Sequence, residues 1–509
     1  MPRKSKTKWE FGDFQTPEAL ANQAVSLLAK LDVEPQSIIE PTCGRGSFLL
    51  ASSRKFASAQ KILGIDINQI YLTELKQRIS KSEIGKEINL IVGDFFSLDW
   101  PKLLDSLPEP ILIVGNPPWV TSSELGMLGS SNVPRKSNFQ KHRGYDAKTG
   151  KSNFDISEWM LLKNVEWLEH RRGTIAVLCK SAVARKVLYH AWKNESRIYQ
   201  AKIFRIDAQK EFGASVDACF LVIEMADGKS PKDCLMYDSI SSTKPTTMIG
   251  YHDEMILADV KLYQKWQHLK GNDRAYTWRS GIKHDCSKVM EIEKCGEGYK
   301  NGLGEVISLE AKYVYPMMKS SDIGKGLNRR ARKYMLVTQR YVGDETNVIQ
   351  RAAPRTWRYL ENHAEAFERR GSSIYRDRPN FSIFGVGPYS FSPWKVAISG
   401  FYADLRFQAI GPSEDKAVVV DDTVYFLPCW SESEARFIND LLNSTPATEF
   451  YRSMVFWTDK RPITIEVLKR LNVRALSVEL GFETTYQRFA ELRGVSERKF
   501  THKQPALWT

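Results

Sequence analysis

The stretch Ile111-Leu112-Ile113-Val114-Gly115-Asn116-Pro117-Pro118-Trp119 decides how this chain is read. Its apolar run fits a buried strand, and the run delivers an amide, two prolines and an aromatic to one strand end. In open α/β sheets, ligands gather at the carboxyl ends of the strands. The prolines fix φ and remove two backbone donors, so the carbonyls before them stay free to accept hydrogen bonds. The Asn116 amide oxygen adds a second acceptor, and Trp119 offers a face for stacking. Two convergent acceptors beside an aromatic wall suit a planar group with an exocyclic amine, such as adenine. Taken alone, Asn-Pro-Pro reads equally well as a strand-ending turn, because Asn and Pro are ordinary turn residues. The neighbouring segments decide between the two.

Upstream, Ser37-Ile38-Ile39-Glu40-Pro41-Thr42-Cys43-Gly44-Arg45-Gly46-Ser47-Phe48 predicts a strand, a glycine turn and a helix. The glycines allow close approach of the backbone to a ligand, and Glu40 can hold a cationic group. A second strand, Ile62-Leu63-Gly64-Ile65-Asp66, ends in a carboxylate, where nucleotide-binding α/β units take ribose hydroxyls. A third, Ile88 to Val92, runs into Gly93-Asp94-Phe95-Phe96, placing Asp94 to accept from an adenine amine and Phe95 to cover its ring. Any one of these acids alone reads as a solvated loop carboxylate. Three strand-end signals in this order, followed by Asn-Pro-Pro-Trp, do not.

The order of these segments resembles the γ class of amino-group DNA methyltransferases, which depend on S-adenosylmethionine. In that family the cofactor motifs precede the catalytic (Asn/Asp/Ser)-Pro-Pro-aromatic motif and target recognition comes last. The resemblance implies a Rossmann-like α/β catalytic domain over residues 1–245 and a mixed α+β target-recognition domain over 246–509. It assigns cofactor contacts to Glu40, Pro41, Gly44 and Gly46, to Asp66, and to Asp94 with Phe95. Phe11-Gly12-Asp13-Phe14-Gln15-Thr16-Pro17-Glu18 looks like the N-terminal motif that closes over the methionine part, which brings in Thr16. Asn116, Pro117, Pro118 and Trp119 become the catalytic motif, with Trp119 a less usual final residue. A helix opened by Asn153-Phe154-Asp155-Ile156 and ending near Trp167 leads to the strand Thr174 to Leu178. A late hairpin over Glu211 to Ile223 carries Phe212, which in the family packs on the flipped base; a core role for Phe212 is the alternative.

Composition extends the reading to a partner. The chain has 509 residues and a net charge of +13. That length implies more than one domain, and the charge implies a polyanionic partner, which the resemblance makes double-stranded DNA. Between Lys319 and Arg378 fourteen Lys and Arg stand against seven Asp and Glu, a net +7, interleaved with Tyr334, Trp357, Tyr359 and Tyr375. Basic residues neutralise phosphates while aromatics and Arg read or stack on bases; a solvated basic surface over an aromatic core is the plainer alternative. Helical spacing is expected over Met255 to Leu269 and Pro354 to Arg370, and a strand pair over Val418 to Pro428. A helix over Glu432 to Asn443 is stopped by the Asn and the following Pro446.

The seven cysteines form no CxxC and no Cys/His pairing of metal spacing, so no metal is expected and the thiols read as reduced and buried, as in a cytoplasmic protein. No signal segment or long apolar run points to a membrane. The basic start Met1 to Lys8 reads as a solubilising tail. The expected function is transfer of a methyl group to adenine N6 in DNA, by a monomer serving a separately encoded restriction endonuclease or another phage defence. Adenine N6 in RNA, cytosine N4 in DNA and a non-catalytic DNA-binding subunit are the alternatives; methylation of a glutamine side chain would not need so large a basic second half.

Overall fold

Short runs of β-branched and apolar residues, each bounded by Gly, Pro or an acid, build the first half of the chain into one sheet. In the computed structural model, residues 15–82, 84–120, 155–228, 231–326, 332–402 and 404–503 are described. The expected motif residues 11–14, the start of the helix at 153–154 and the basic tail lie outside them.

The chain divides into two compact units, Met1–Val260 and Lys261–Thr509. Among the described residues the first holds ten strands: β1 (Ser37–Glu40), β2 (Lys61–Asp66), β3 (Ile88–Val92), β4 (Ile111–Gly115), β5 (Gly173–Lys180), β6 (Ile198–Ile206), β7 (Ala218–Met225), β8 (Asp233–Tyr237), β9 (Thr247–His252) and β10 (Met255–Leu257). Their order across the sheet is β10-β9-β8-β6-β7-β5-β4-β1-β2-β3. The strands from β3 to β5 are parallel, and β7 enters antiparallel between β5 and β6. Strand order reverses between β1 and β4, and sheets of this kind bind ligands at the carboxyl ends of the strands beside such a reversal.

Burial follows from this order. Every residue of β1 and β4 is buried, as expected for central parallel strands covered on both faces. On one face pack α1 (Glu18–Lys30) and α2 (Ser47–Lys55), whose Leu20, Leu28, Phe48 and Leu49 join Ile38, Leu112 and Phe220 in a single core. The hairpin β9–β10 continues the sheet past residue 245, so the first unit ends later than the sequence boundary. The helical stretch expected from Met255 accordingly begins at Val260, because Met255–Leu257 is spent on strand pairing.

The second unit mixes α and β. A six-stranded sheet has the order Val306–Ile307, Gly298–Asn301, Glu291–Cys295, Lys333–Leu336, Val314–Met318, Val419–Val420. A four-stranded antiparallel sheet has the order Arg279–Ser280, Val424–Cys429, Trp394–Ser399, Gln408–Ile410. The two strands expected within Val418 to Pro428 both form, but they join different sheets instead of pairing with each other. Asp421 accepts from the Thr423 hydroxyl at 2.5 Å in the tight turn that redirects the chain between them. The helix expected over Pro354 to Arg370 breaks at His363 into Pro354–Asn362 and Ala364–Glu368. The helix before Pro446 runs Glu432–Leu442, with Asn443 closing it as expected.

Cys295 is exposed and the other six cysteines are buried. Among the described residues no helix is long and apolar enough to cross a membrane.

Candidate active site

Three strand ends meet a glycine turn at the carboxyl edge of the first sheet. β1 ends in Glu40, which is 3% exposed and accepts from the Leu49 N–H at 2.8 Å. Burial holds its carboxyl well above the usual carboxylate range; the Leu49 N–H pulls it down, and the neighbouring Asp66 carboxylate pushes it up. The chain then turns through Pro41 to Gly46 into α2. Gly44 and Gly46 take φ of +50° and +76°, and a Cβ on Gly46 would lie 2.4 Å from Leu75 Cδ1. A Cβ there is strained by the positive φ and displaces the buried Leu75 side chain of α3 (Gln69–Ser80).

Asp66, ending β2, braces this turn: its carboxylate accepts from Gly44 N–H at 2.7 Å and from Asn68 N–H at 2.8 Å. The short segment before α1 leans on the same turn, with Gln15 accepting from Arg45 N–H at 3.2 Å and the Thr16 carbonyl accepting from Ser47 Oγ at 2.7 Å. Beyond β3, Asp94 accepts from Phe96 N–H at 2.9 Å, so its side chain is held at the rim. Phe95 is placed differently from an open lid over a ring. It is 6% exposed and packs with Phe96, Trp100, Trp159 and Trp167, with centroids 5.2–5.9 Å away. Phe96 beside it is the more open ring.

The Asn116-Pro117-Pro118-Trp119 segment leaves β4 next to Glu40: a Cβ on Gly115 would sit 3.2 Å from Glu40 Cγ. Pro117 is buried, while Asn116 and Pro118 are half-buried. Trp119 is 5% exposed, donates its indole N–H to the Leu178 carbonyl at 3.4 Å, and meets Phe212 edge to face at 5.2 Å. Phe212 ends the helix Ala208–Phe212 and packs partly buried against the core. The structure thus brings Trp119 and Phe212 together, and it gathers Thr16, Gly44, Gly46, Asp66 and Glu40 around one turn.

At this edge Lys180 escaped the sequence reading, which placed Asp155 only at the opening of a helix. Lys180, ending β5, donates to the Trp119 carbonyl at 3.1 Å and to Asp155 Oδ2 at 2.7 Å. Asp155 begins the helix α4 (Ile156–Trp167), and Ile156 N–H donates to the Val120 carbonyl at 2.9 Å. The only sequence signal was positional: a Lys closing an otherwise apolar strand, Thr174 to Cys179.

Similarity to known proteins gives the family of the chain. The family model described as N-6 DNA methylase matches residues 3–248. The type II methyltransferase M.NspV of Nostoc sp. is 43% identical over 473 residues, which cover 93% of this chain and 98% of that protein. The type II methyltransferase M.CvrRI of a Paramecium bursaria Chlorella virus is 35% identical over 116 residues, 23% of this chain and 26% of its own. Among solved structures, the type IIL restriction–modification enzyme MmeI in complex with DNA matches at a TM-score of 0.50 and 14% identity, covering 98% of this chain and 80% of that one. At such identity the likeness speaks for the fold. With a homologue related along nearly its whole length and a family model spanning most of the Rossmann-like sheet, the chain belongs to the N-6 DNA methylase family and is a type II DNA methyltransferase homologue.

Proposed function

We propose that this protein methylates the N6 amine of an adenine flipped out of duplex DNA, at a site chosen by its second unit, as the modification enzyme of a restriction or other defence system. One observation carries the reading: the Asn-Pro-Pro-Trp segment leaves β4 against Glu40, so an acceptor pair for an amine lies beside a buried acid suited to a cation. The family implies S-adenosylmethionine, and the residues suit it. Glu40 would hold the methionine ammonium, the Gly44–Gly46 turn would admit the backbone-hugging part, and Asp66 and Asp94 would take the ribose and adenine. When bound, this cofactor supplies an electrophilic methyl group on a sulfonium.

The chain's own contribution is positioning and fixed acceptors. Adenine N6 is a poor nucleophile because its lone pair is delocalised into the ring. Hydrogen bonds from N6 to the Asn116 amide oxygen and the Pro117 carbonyl favour a pyramidal nitrogen with a localised pair. The alkylated nitrogen is acidic, so no strong base is needed before attack. Extracting a base from the duplex costs a few kcal/mol, on the order of 2–4. Stacking on an aromatic recovers about 1–3 kcal/mol, and Trp119 and Phe212 are the rings at hand. Support for DNA as the polymer comes from the net charge of +13 and from the naming of M.NspV as a type II methyltransferase.

Asn116→Ala tests the assignment. It is expected to lower single-turnover methyl transfer by at least about a hundredfold, as loss of a preorganised polar group does, while cofactor affinity measured by calorimetry stays near wild type. An Asn116→Ala enzyme with wild-type turnover would overturn the site.

A further inference from the structure

Lys180 and Asp155 sit on different elements, and neither belongs to the acceptor pair or to the cofactor turn. What they share is the downstream end of the Asn-Pro-Pro-Trp segment. The Lys180 ammonium donates to the Trp119 carbonyl at 3.1 Å and to Asp155 Oδ2 at 2.7 Å. Asp155 is 7% exposed, and its other oxygen accepts from the Ser157 N–H at 3.1 Å and the Ser157 hydroxyl at 2.5 Å. The carboxylate is therefore fixed from the helix side, and it fixes the ammonium in turn. A charge-assisted bond of this kind is shorter and stronger than a neutral one.

The upstream end of the segment is held by the same strand. Gly115, just before the segment, pairs with Val177 of β5, and at the downstream end the Trp119 indole N–H also reaches the Leu178 carbonyl at 3.4 Å. Val177, Leu178 and Lys180 together hold both ends of the four residues. Between those anchors Pro117 and Pro118 have φ fixed by their rings. Little torsional freedom is left, so the Trp119 carbonyl anchor helps set where the Asn116 amide and the Pro117 carbonyl stand.

We propose that Lys180 is a positioning residue for methyl transfer, with Asp155 holding its ammonium in place. It acts on the reaction through the Trp119 carbonyl and not by touching the substrate. The inference rests on the reading of Asn116 and Pro117 as the acceptors of the substrate amine. Methionine at 180 keeps much of the aliphatic stem and loses both bonds; arginine keeps the charge with a different fork. Asp155→Asn keeps the size of the partner and removes its charge.

The test uses the full chain and four variants: Lys180→Met, Lys180→Arg, Asp155→Asn and Asn116→Ala. Single-turnover methylation of a duplex carrying a mapped target site is measured beside cofactor affinity by calorimetry. Fluorescence of 2-aminopurine at the target position reports whether the base leaves the stack. Lys180→Met is expected to slow methyl transfer about 10- to 100-fold, the scale of a small misplacement of reacting groups, with cofactor affinity within about threefold of wild type. Lys180→Arg and Asp155→Asn are expected to recover part of the rate, and the 2-aminopurine signal of Lys180→Met is expected to differ from wild type. An unchanged rate in Lys180→Met overturns the inference. So does a loss of rate matched by equal losses of cofactor affinity and thermal stability, which marks a residue that only holds the fold. An inactive Asn116→Ala beside a wild-type-like Lys180→Met overturns the Lys180 role alone. An active Asn116→Ala overturns the acceptor assignment and the Lys180 role with it.

Discussion

Glu40 shows how one residue can couple ligand binding to protons. Its carboxyl is buried, and burial together with the nearby Asp66 carboxylate holds it well above the usual range despite the Leu49 N–H. An acid whose folded value is raised keeps its proton where the unfolded chain has lost it. The ligand-free fold therefore loses stability as pH rises from the unfolded value through the folded one. A cationic ligand reverses the preference, because an opposite charge favours the ionised carboxylate. S-adenosylmethionine binding is thus expected to release a proton from Glu40, and affinity should rise with pH until Glu40 is already ionised in the free protein. Calorimetry in two buffers of different ionisation heat measures the release directly. Glu40→Gln should abolish it and weaken binding; a wild-type protein that binds without proton release would contradict the assignment of Glu40.

At the scale of an element, the turn between β1 and α2 is where sequence dictates geometry most tightly. Gly46 has φ of +76° and Leu75 stands 2.4 Å from where a Cβ would be, whereas Gly213 has φ of +66° with nothing within 4 Å. Both positions strain an L-residue by about 1–3 kcal/mol, but only Gly46 adds a collision. Gly46→Ala is expected to destabilise the protein clearly more than Gly213→Ala in denaturant titrations and to weaken cofactor binding. Equal losses in the two variants would contradict this account of the turn.

The strands that end in Glu40 and Asp66, and those that lead into Asp94 and Asn116, were legible because each is a mainly apolar run that runs into a polar residue. Lys180 and Asp155 were not legible as site residues. Their approach to Trp119 depends on the β4–β5 register and on where α4 begins, both products of tertiary packing. The burial of Phe95 had the same origin: four aromatics distant or adjacent in sequence converge on it, and no local pattern announces that. In the second unit Val419–Val420 and Val424–Cys429 looked like a hairpin because only the turn was local, while their partners, Val314–Met318 and Trp394–Ser399, are not.

For the whole molecule, charge and length point beyond the catalytic sheet. A net charge of +13 is more than one cofactor requires, and Lys319 to Arg378 concentrates basic residues in the second unit. Base contacts there were not legible, since recognition is read by a few side chains whose placement depends on the target. The most direct measurement supplies radiolabelled S-adenosylmethionine with equal amounts of unmethylated duplex DNA, RNA and total protein, and identifies the labelled base by chromatography after digestion. Adenine N6 methylation of DNA predicts label in DNA alone, as N6-methyladenine. Label in RNA, in protein or as N4-methylcytosine, or no label in any pool, would contradict it.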